Sequence, residues 1–566
     1  MAFFATVICQ FGAALACLPE GSIMHFPTLK TTAAVAVMAL FSSGIIYVIY
    51  EWVVDYGKHA AFWTLTLALI LLAVAVLSLF NPMVGDGGRI AFRYPTIAAM
   101  LCGELLVEFF GGKVKPHFGL PKFDIKEPGN VFFLIASITG ISLCFILPHE
   151  TVLNFDDESH YRDSVYFSQG IYTAFNNADT REFFWFWDHD TGLSATERAS
   201  NDEALNAGDS DGSLYMESGL AAYDLRKVGY IGTTFAMWIG NALHLNAVAR
   251  FILARIGNLM LYAFVMSLAI KRLKNGKMLL FLTALCPYMI YSAACFNYDA
   301  WMSAFLSLGL ACFFEAVQTE RKVSNRDLAV MAGSMFLAFL PKAPYAVLML
   351  ILFFLPKKCF RDPKQRKRFY AILIAAVVFL FLYTVATSFG IGDPVDERGN
   401  SNDNISGYGQ MVYVFSHLGT YISTLIRFFF GGYLGGQGYL GQFGSLGGTK
   451  AYLVTLSAMI FAAITDSGKA VKAIPVRIAG TIICFLTLMA AATVMYLVFT
   501  PVGSNTVLGF QERYMVHLLF PFLMFALNGW LKFDPPRKIY NLVFYIIGIA
   551  VLVYNISEIV VIPSLC

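Results

Sequence analysis

The chain has 566 residues, of which 58% are hydrophobic, 15% aromatic and only 14% charged, with a formal net charge of +3. A soluble chain of this length divides into charged-skinned domains with about 25% charged residues. Whole-chain readings as a soluble enzyme, a nucleic-acid binder or a secreted disulfide scaffold are therefore excluded.

In chain order, membrane-length apolar segments fall near 1–18, 33–54, 61–80, 93–110, 131–148, 250–270, 278–295, 300–318, 369–390, 451–465, 478–500, 514–531 and 539–562. The segment 61–80 carries no charge over its whole length, enough to cross a hydrocarbon core of about 30 Å. The first eighteen residues hold no Lys or Arg, so they read as a retained membrane helix instead of a cleaved signal peptide. Two shorter apolar pieces, 328–340 and 345–356, flank Pro341 and suggest a hairpin of half-length or broken helices. The fold class is an all-α polytopic membrane protein with about 13–15 crossings. Ten cysteines, including Cys102, Cys144, Cys286, Cys312 and Cys484, lie mostly in apolar runs with no CxxC pair. Neither a disulfide framework nor a zinc site is expected.

Loop charge sets the orientation. Lys and Arg crowd the turns at 271–277, 321–326, 357–368, 469–477 and 537–538, which places those turns in the cytoplasm. All five share one side only if the hairpin at Pro341 enters and leaves on that side. The opposite face then receives 150–230, with 16 acidic against 5 basic residues. A loop this long is functional or disordered, and its aromatic content argues for function. The expected organisation is 1–126, N-terminal membrane helices of unassigned role; 127–149, one membrane helix; and 150–249, a large outer loop domain. It continues with 250–390, the membrane core; 391–450, an outer loop rich in Gly and aromatics; and 451–566, the C-terminal membrane helices.

Three constellations could carry chemistry. The first is FDDESHYRDS, which sets Asp156, Asp157, Glu158, His160 and Arg162 directly after a membrane helix. Such carboxylates serve as a general base toward a hydroxyl or hold a divalent cation; a solvated acidic loop start is the bland alternative. The second is NYDAW, where Asp299 is costly at membrane depth unless it faces a wet cavity or a cation, and equally suits a helix N-cap. The third is a set of cations away from the basic turns: Arg250, Arg255, Lys342, Arg427 and Arg513. Snorkelling explains any one of them, whereas five together suggest a phosphate at the outer membrane surface. An Asp-x-Asp triplet at 188–190 has metal–nucleotide spacing, but such triplets are common in so acidic a loop. The glycine-rich 431–448 lacks the Lys-Ser/Thr of a phosphate loop.

These features resemble the GT-C superfamily of membrane glycosyltransferases, which use a sugar on a polyprenyl phosphate. More narrowly, the stretch from about 131 to 530 resembles a bacterial predicted-membrane-protein family within that group. Its motifs appear here as Asp156-Asp157-Glu158-Ser159-His160, Asn297-Tyr298-Asp299, Lys342-Ala343-Pro344-Tyr345 and Arg513-Tyr514, departing from the pattern with Asp157 where Glu is usual and Gln511-Glu512 where Gly is common. The resemblance implies a GT-C-like bundle and a donor such as an undecaprenyl-phosphate sugar. It implies a glycan or glycolipid acceptor at the outer face of a bacterial plasma membrane, in contact with membrane lipids and no nucleic acid. Asp156 would be the base, with Asp157 and His160 orienting it or binding acceptor hydroxyls. Glu158, Arg162, Arg250, Arg255, Asp299, Lys342, Tyr345, Arg427, Gln511 and Arg513 would bind substrate. No cofactor is required, although a divalent cation is compatible with the carboxylate pair. A polysaccharide polymerase or ligase shares this chemistry, and a lipid or solute transporter is the rival outside it.

Overall fold

The computed structural model describes residues 127–147, 160–161, 163–164, 225–388, 405–429, 448–466, 471–511, 513–531, 533 and 535–556. The expected N-terminal membrane helices before residue 127 lie outside these residues. The elements are α1 (Pro128–Ile146), a 3-10 segment (Leu225–Tyr230), α2 (Ile231–Ala242), α3 (Ala247–Arg272), α4 (Lys277–Ala284), α5 (Pro287–Ala293), α6 (Asp299–Thr319) and α7 (Asn325–Phe339). A 3-10 arm (Ala343–Phe354) and a 3-10 turn (Lys357–Cys359) follow, then α8 (Pro363–Ser388), α9 (Gly407–Ser416), α10 (Leu418–Arg427), α11 (Gly448–Thr465), α12 (Ile474–Val498), α13 (Arg513–Ala526) and α14 (Arg537–Ile556). The described residues contain no strand, and α1, α3, α6, α12 and α14 are long and apolar enough to cross a membrane. The protein is an all-α polytopic membrane protein.

Local chemistry sets the helix ends. Pro128 opens α1 at a position where its missing N–H costs nothing. The Asn246 side chain accepts from the Ala249 N–H at 2.9 Å to cap α3, whose last turn carries Lys271 and Arg272. Ser324 and Asp327 close a reciprocal capping box on α7. The expected single span at 278–295 is instead two short helices, because Pro287 forces Cys286 out of the helical region (ψ 133°). Within the 391–450 interval the structure forms two helices, α9 and α10.

At the centre stands α6, with 89% of its apolar window buried against 28% for α14 at the periphery. Helices α2 and α3 meet through small residues. Gly232, Ala236 and Gly240 recur every four positions on α2 and let the backbones approach. A Cβ at Gly257 on α3 would stand 2.4 Å from the Gly232 carbonyl oxygen and 2.5 Å from the Ala236 Cβ. Gly257→Val is therefore expected to cost about 1–3 kcal/mol by overpacking. Thermal unfolding of the purified protein checks this, and an unchanged midpoint would show that the two helices do not touch there.

The hairpin at Pro341 has one α leg and one 3-10 leg, not two half-length helices. Fifteen α residues rise about 22 Å, and twelve 3-10 residues about 24 Å, so the return leg ends level with the start. The Val323 N–H donates to the Cys359 carbonyl at 2.8 Å, and Gln365 donates to Val323 and Asn325. Entry and exit thus share one end.

That end also gathers the basic turns. Lys277 pairs with Glu127 at 2.7 Å, and Arg272 with Asp327 at 2.9 Å and Glu315 at 3.3 Å. Arg321 bridges the same two carboxylates, and Lys358 pairs with Glu320. Asp466 accepts from the Met278 N–H and from Arg537, while Arg477 donates to the Phe525 and Ala526 carbonyls. Asp327 and then Glu315 raise the Arg321 guanidinium above its ordinary pKa, so it stays charged.

A buried ion cluster as the candidate functional site

The site is built at the other end of α6. Asp299 is the first residue of that helix, about 24 Å along it from Glu315. The N-cap position belongs to Tyr298, and the Asn297 side chain accepts the Asp299 N–H at 2.6 Å. The Asp299 carboxylate is thereby free to point inward. Asn258 of α3 holds the turn by donating to the Cys295 and Asn297 carbonyls.

The carboxylate is 1% exposed and meets groups from the hairpin tip, α5 and α13. Lys342, at the hairpin tip, donates to Oδ1 at 2.7 Å, and the Tyr288 hydroxyl of α5 donates to Oδ2 at 2.9 Å. His517 of α13 places Nε2 3.5 Å from Oδ1, and its Nδ1 lies 2.5 Å from the Ser303 hydroxyl on α6. The consistent assignment is a neutral ring accepting from Ser303 and turning Nε2–H toward Asp299. Arg513, buried at the start of α13, adds positive charge at both Asp299 and Tyr288. A buried charge needs such company. Among the described residues, Lys342 and Arg513 bring positive charge to the one carboxylate of Asp299.

Aromatic rings line the lysine. Its Nζ lies 4.2 Å from the Tyr514 ring centroid and 5.1 Å from that of Tyr298, and the Arg513 guanidinium lies 5.5 Å from the Tyr514 ring. The Tyr345 hydroxyl donates to the Tyr514 carbonyl at 2.6 Å, tying the 3-10 arm to α13. On the Tyr298 side, His160 is buried with its ring edge-on at 4.8 Å, and its Nδ1 shares a 2.6 Å hydrogen bond with the Tyr230 hydroxyl. Gly229 permits this approach, since a Cβ there would stand 2.5 Å from the Tyr298 Cβ and 3.0 Å from the Pro341 Cγ.

The sequence candidates are thus partly assembled. Asp299, Lys342, Tyr345 and Arg513 converge, and His160 joins them through Tyr298. Asp156, Asp157, Glu158 and Arg162 lie outside the described residues. Arg250 and Arg255 are buried in α3; Arg255 donates to the Leu147 carbonyl at 3.3 Å and lies over the Phe251 ring at 4.5 Å. The backbone of Gln511 accepts from the Tyr514 N–H at 3.1 Å, starting α13. Arg427 is exposed at the end of α10 and makes none of the contacts that join Asp299, Lys342 and His517. Among the described residues, no group of three or more His, Cys, Asp or Glu is placed to hold a metal.

Sequence reading missed Tyr288, Ser303, His517 and Tyr230. A signal existed for two of them. Ser303 follows Asp299 by four residues and His517 follows Arg513 by four, so each pair shares a helix face. An ionisable residue within an apolar segment also marks a functional position.

Fold and site together define a polytopic membrane protein with a buried cluster of charged residues at the end opposite its basic turns. Residues 216–526 match the model of the family described as predicted membrane protein (DUF2142), and the chain belongs to that family. The match begins beyond the acidic motif at 156–160 and covers the Asn297-Tyr298-Asp299, Lys342–Tyr345 and Arg513-Tyr514 motifs. No curated protein and no solved structure matches the chain.

Proposed function

We propose that this protein is a GT-C-type membrane glycosyltransferase. It moves a sugar from a polyprenyl-phosphate donor to a polysaccharide or glycolipid acceptor at the outer face of a bacterial plasma membrane. The observation that carries this reading is the convergence of Lys342 and Arg513 on one buried carboxylate beside His160, remote from the basic turns. By the positive-inside rule the basic end is cytoplasmic, so the cluster belongs to the outer leaflet, where a lipid phosphate sits.

The chemistry balances without a cofactor. The bond from the sugar's anomeric carbon to the donor phosphate oxygen breaks, and its electron pair leaves with the polyprenyl phosphate. Lys342 and Arg513, with Arg255 further along α3, stabilise the charge that develops there. The acceptor hydroxyl forms the new glycosidic bond and gives its proton to Asp156 or Asp157. Direct displacement inverts the anomeric centre. Asp299 is a positioning residue that holds Lys342 in place.

The test is sugar transfer by the purified protein from a panel of polyprenyl-phosphate sugars. It is paired with polyprenyl-phosphate binding by the Arg255→Ala, Lys342→Ala, Arg513→Ala triple variant. Normal binding by a folded triple variant removes the phosphate site. Topology is checked separately, with cysteines placed at Ser194 and Ser324 expected to label from outside and inside respectively; the reverse pattern sinks the mechanism. A proton-coupled transporter is the second reading, favoured by the interrupted α4–α5 segment and the Ser303–His517–Asp299 chain inside the membrane. Proton-dependent uptake into vesicles without sugar transfer would select it.

A further inference from the structure

Lys342 and His517 face the same oxygen of Asp299, from opposite situations. Lys342 reaches Oδ1 at 2.7 Å and its side chain is 14% exposed. His517 stands 3.5 Å from that oxygen and is 0% exposed. The lysine can leave by reorienting its flexible stem, whereas the imidazole is fixed between Ser303 and the edge of the Tyr345 ring at 5.9 Å. A lysine bonded to Asp299 has part of its charge already spent. Turning it toward an incoming phosphate leaves the buried carboxylate with the Tyr288 hydroxyl and the more distant Nε2–H of a neutral His517, an arrangement that is costly in a dry interior.

We infer that His517 is a positioning residue that takes over Asp299 when Lys342 turns to a donor phosphate, and that it acquires a proton in doing so. The pair Lys342–Asp299 exchanges for the pairs Lys342–phosphate and His517–Asp299, and each bound phosphate brings one proton from solution onto the imidazole. The inference rests on the phosphate reading of the site and adds its proton linkage.

The groups facing His517 permit the exchange. From α6 come Asp299 and Ser303, from α5 Tyr288, and from the hairpin Lys342 and Tyr345; Arg513 lies on its own helix. Toward the membrane interior the ring borders a small cavity lined also by Tyr262, Thr283 and Ser307. Among these groups Asp299 is the carboxylate, so an imidazolium formed here has one anion to pair with. Lys342 and Arg513 oppose that charge until Lys342 moves toward the phosphate.

The experiment is calorimetric titration of the full chain in nanodiscs with a polyprenyl phosphohexose. This phosphodiester keeps one charge across neutral pH, unlike a monoester with its second pKa near 6. Measured in two buffers of different ionisation enthalpy at pH 7.5, binding is expected to take up close to one proton per ligand. Affinity is expected to fall toward about tenfold per pH unit as the pH rises above about 7. In His517→Gln the uptake and slope are expected to vanish, whereas His417→Gln, at the exposed junction of α9 and α10, keeps both. Dimethyl phosphate serves as a second probe; proton uptake with it assigns the linkage to the phosphate group instead of the lipid chain. Binding by the wild type with no proton uptake overturns the exchange and leaves the phosphate site standing. Uptake that persists in His517→Gln places the proton elsewhere and also overturns it. Should His517→Gln fail to fold, His517→Asn, which also lacks a titratable nitrogen, takes its place with the same expected loss. Absence of binding at every pH defeats the phosphate reading itself.

Discussion

Lys342→Met is expected to destabilise the protein by about 3–5 kcal/mol, the scale for breaking a buried ion pair by removing one partner. The loss arises because Asp299, 1% exposed, keeps its charge while its 2.7 Å donor is gone. Tyr288, the nearby Arg513 and, by the exchange inferred above, a protonated His517 moderate the cost without restoring the 2.7 Å bond. The double variant Asp299→Asn with Lys342→Met is expected to recover part of the stability, since the orphaned charge is removed with its partner. Equilibrium unfolding in mixed micelles of the wild type, both single variants and the double variant gives the coupling energy directly. A Lys342→Met protein as stable as wild type, with no coupling to Asp299, would show that this pair does not hold the hairpin tip. The functional consequence is separate. Both Lys342→Met and the double variant should use a polyprenyl-phosphate donor poorly, because each lacks the cation, although the double variant is better folded.

Asp156→Asn is expected to lower sugar transfer by about 10²-fold or more, the usual scale for losing a general base. The change keeps size and removes basicity, so donor binding should survive. If the segment is extended, adjacent residues point to opposite sides, and only one of Asp156 and Asp157 can face the donor carbon. The measurement is transfer from a polyprenyl-phosphate sugar at matched protein levels in the membrane. Activity retained in Asp156→Asn but lost in Asp157→Asn moves the base by one residue. Activity retained in both removes a catalytic role from the acidic motif.

Much of the fold was legible because a bilayer imposes a length on every apolar segment. The segments at 131–148, 250–270, 300–318 and 478–500 differ from α1, α3, α6 and α12 by a few residues at their ends. Hydropathy averages over a window, however, so it ran 278–295 together and overlooked what Pro287 does to Cys286. The hairpin at Pro341 was legible as a hairpin, since the charge pattern required both legs to meet one side. Its 3-10 leg was not, because a rise of about 2.0 Å per residue leaves no mark in composition.

The candidate site divides in the same way. Sequence by itself determined the membrane class, the clustering of basic turns and four of the residues that converge: Asp299, Lys342, Tyr345 and Arg513. Each stood out because a charged or polar motif is conspicuous among apolar segments. Tertiary structure decided what those residues do to one another. Asp299 could be read as a helix cap until Asn297 was seen to take its N–H and leave the carboxylate to Lys342 and Tyr288. His517 and Ser303, separated by 214 positions in the chain, became partners through the packing of α13 against α6. A buried charge depends on whichever groups surround it in space, and that company is set by how helices distant in sequence pack together.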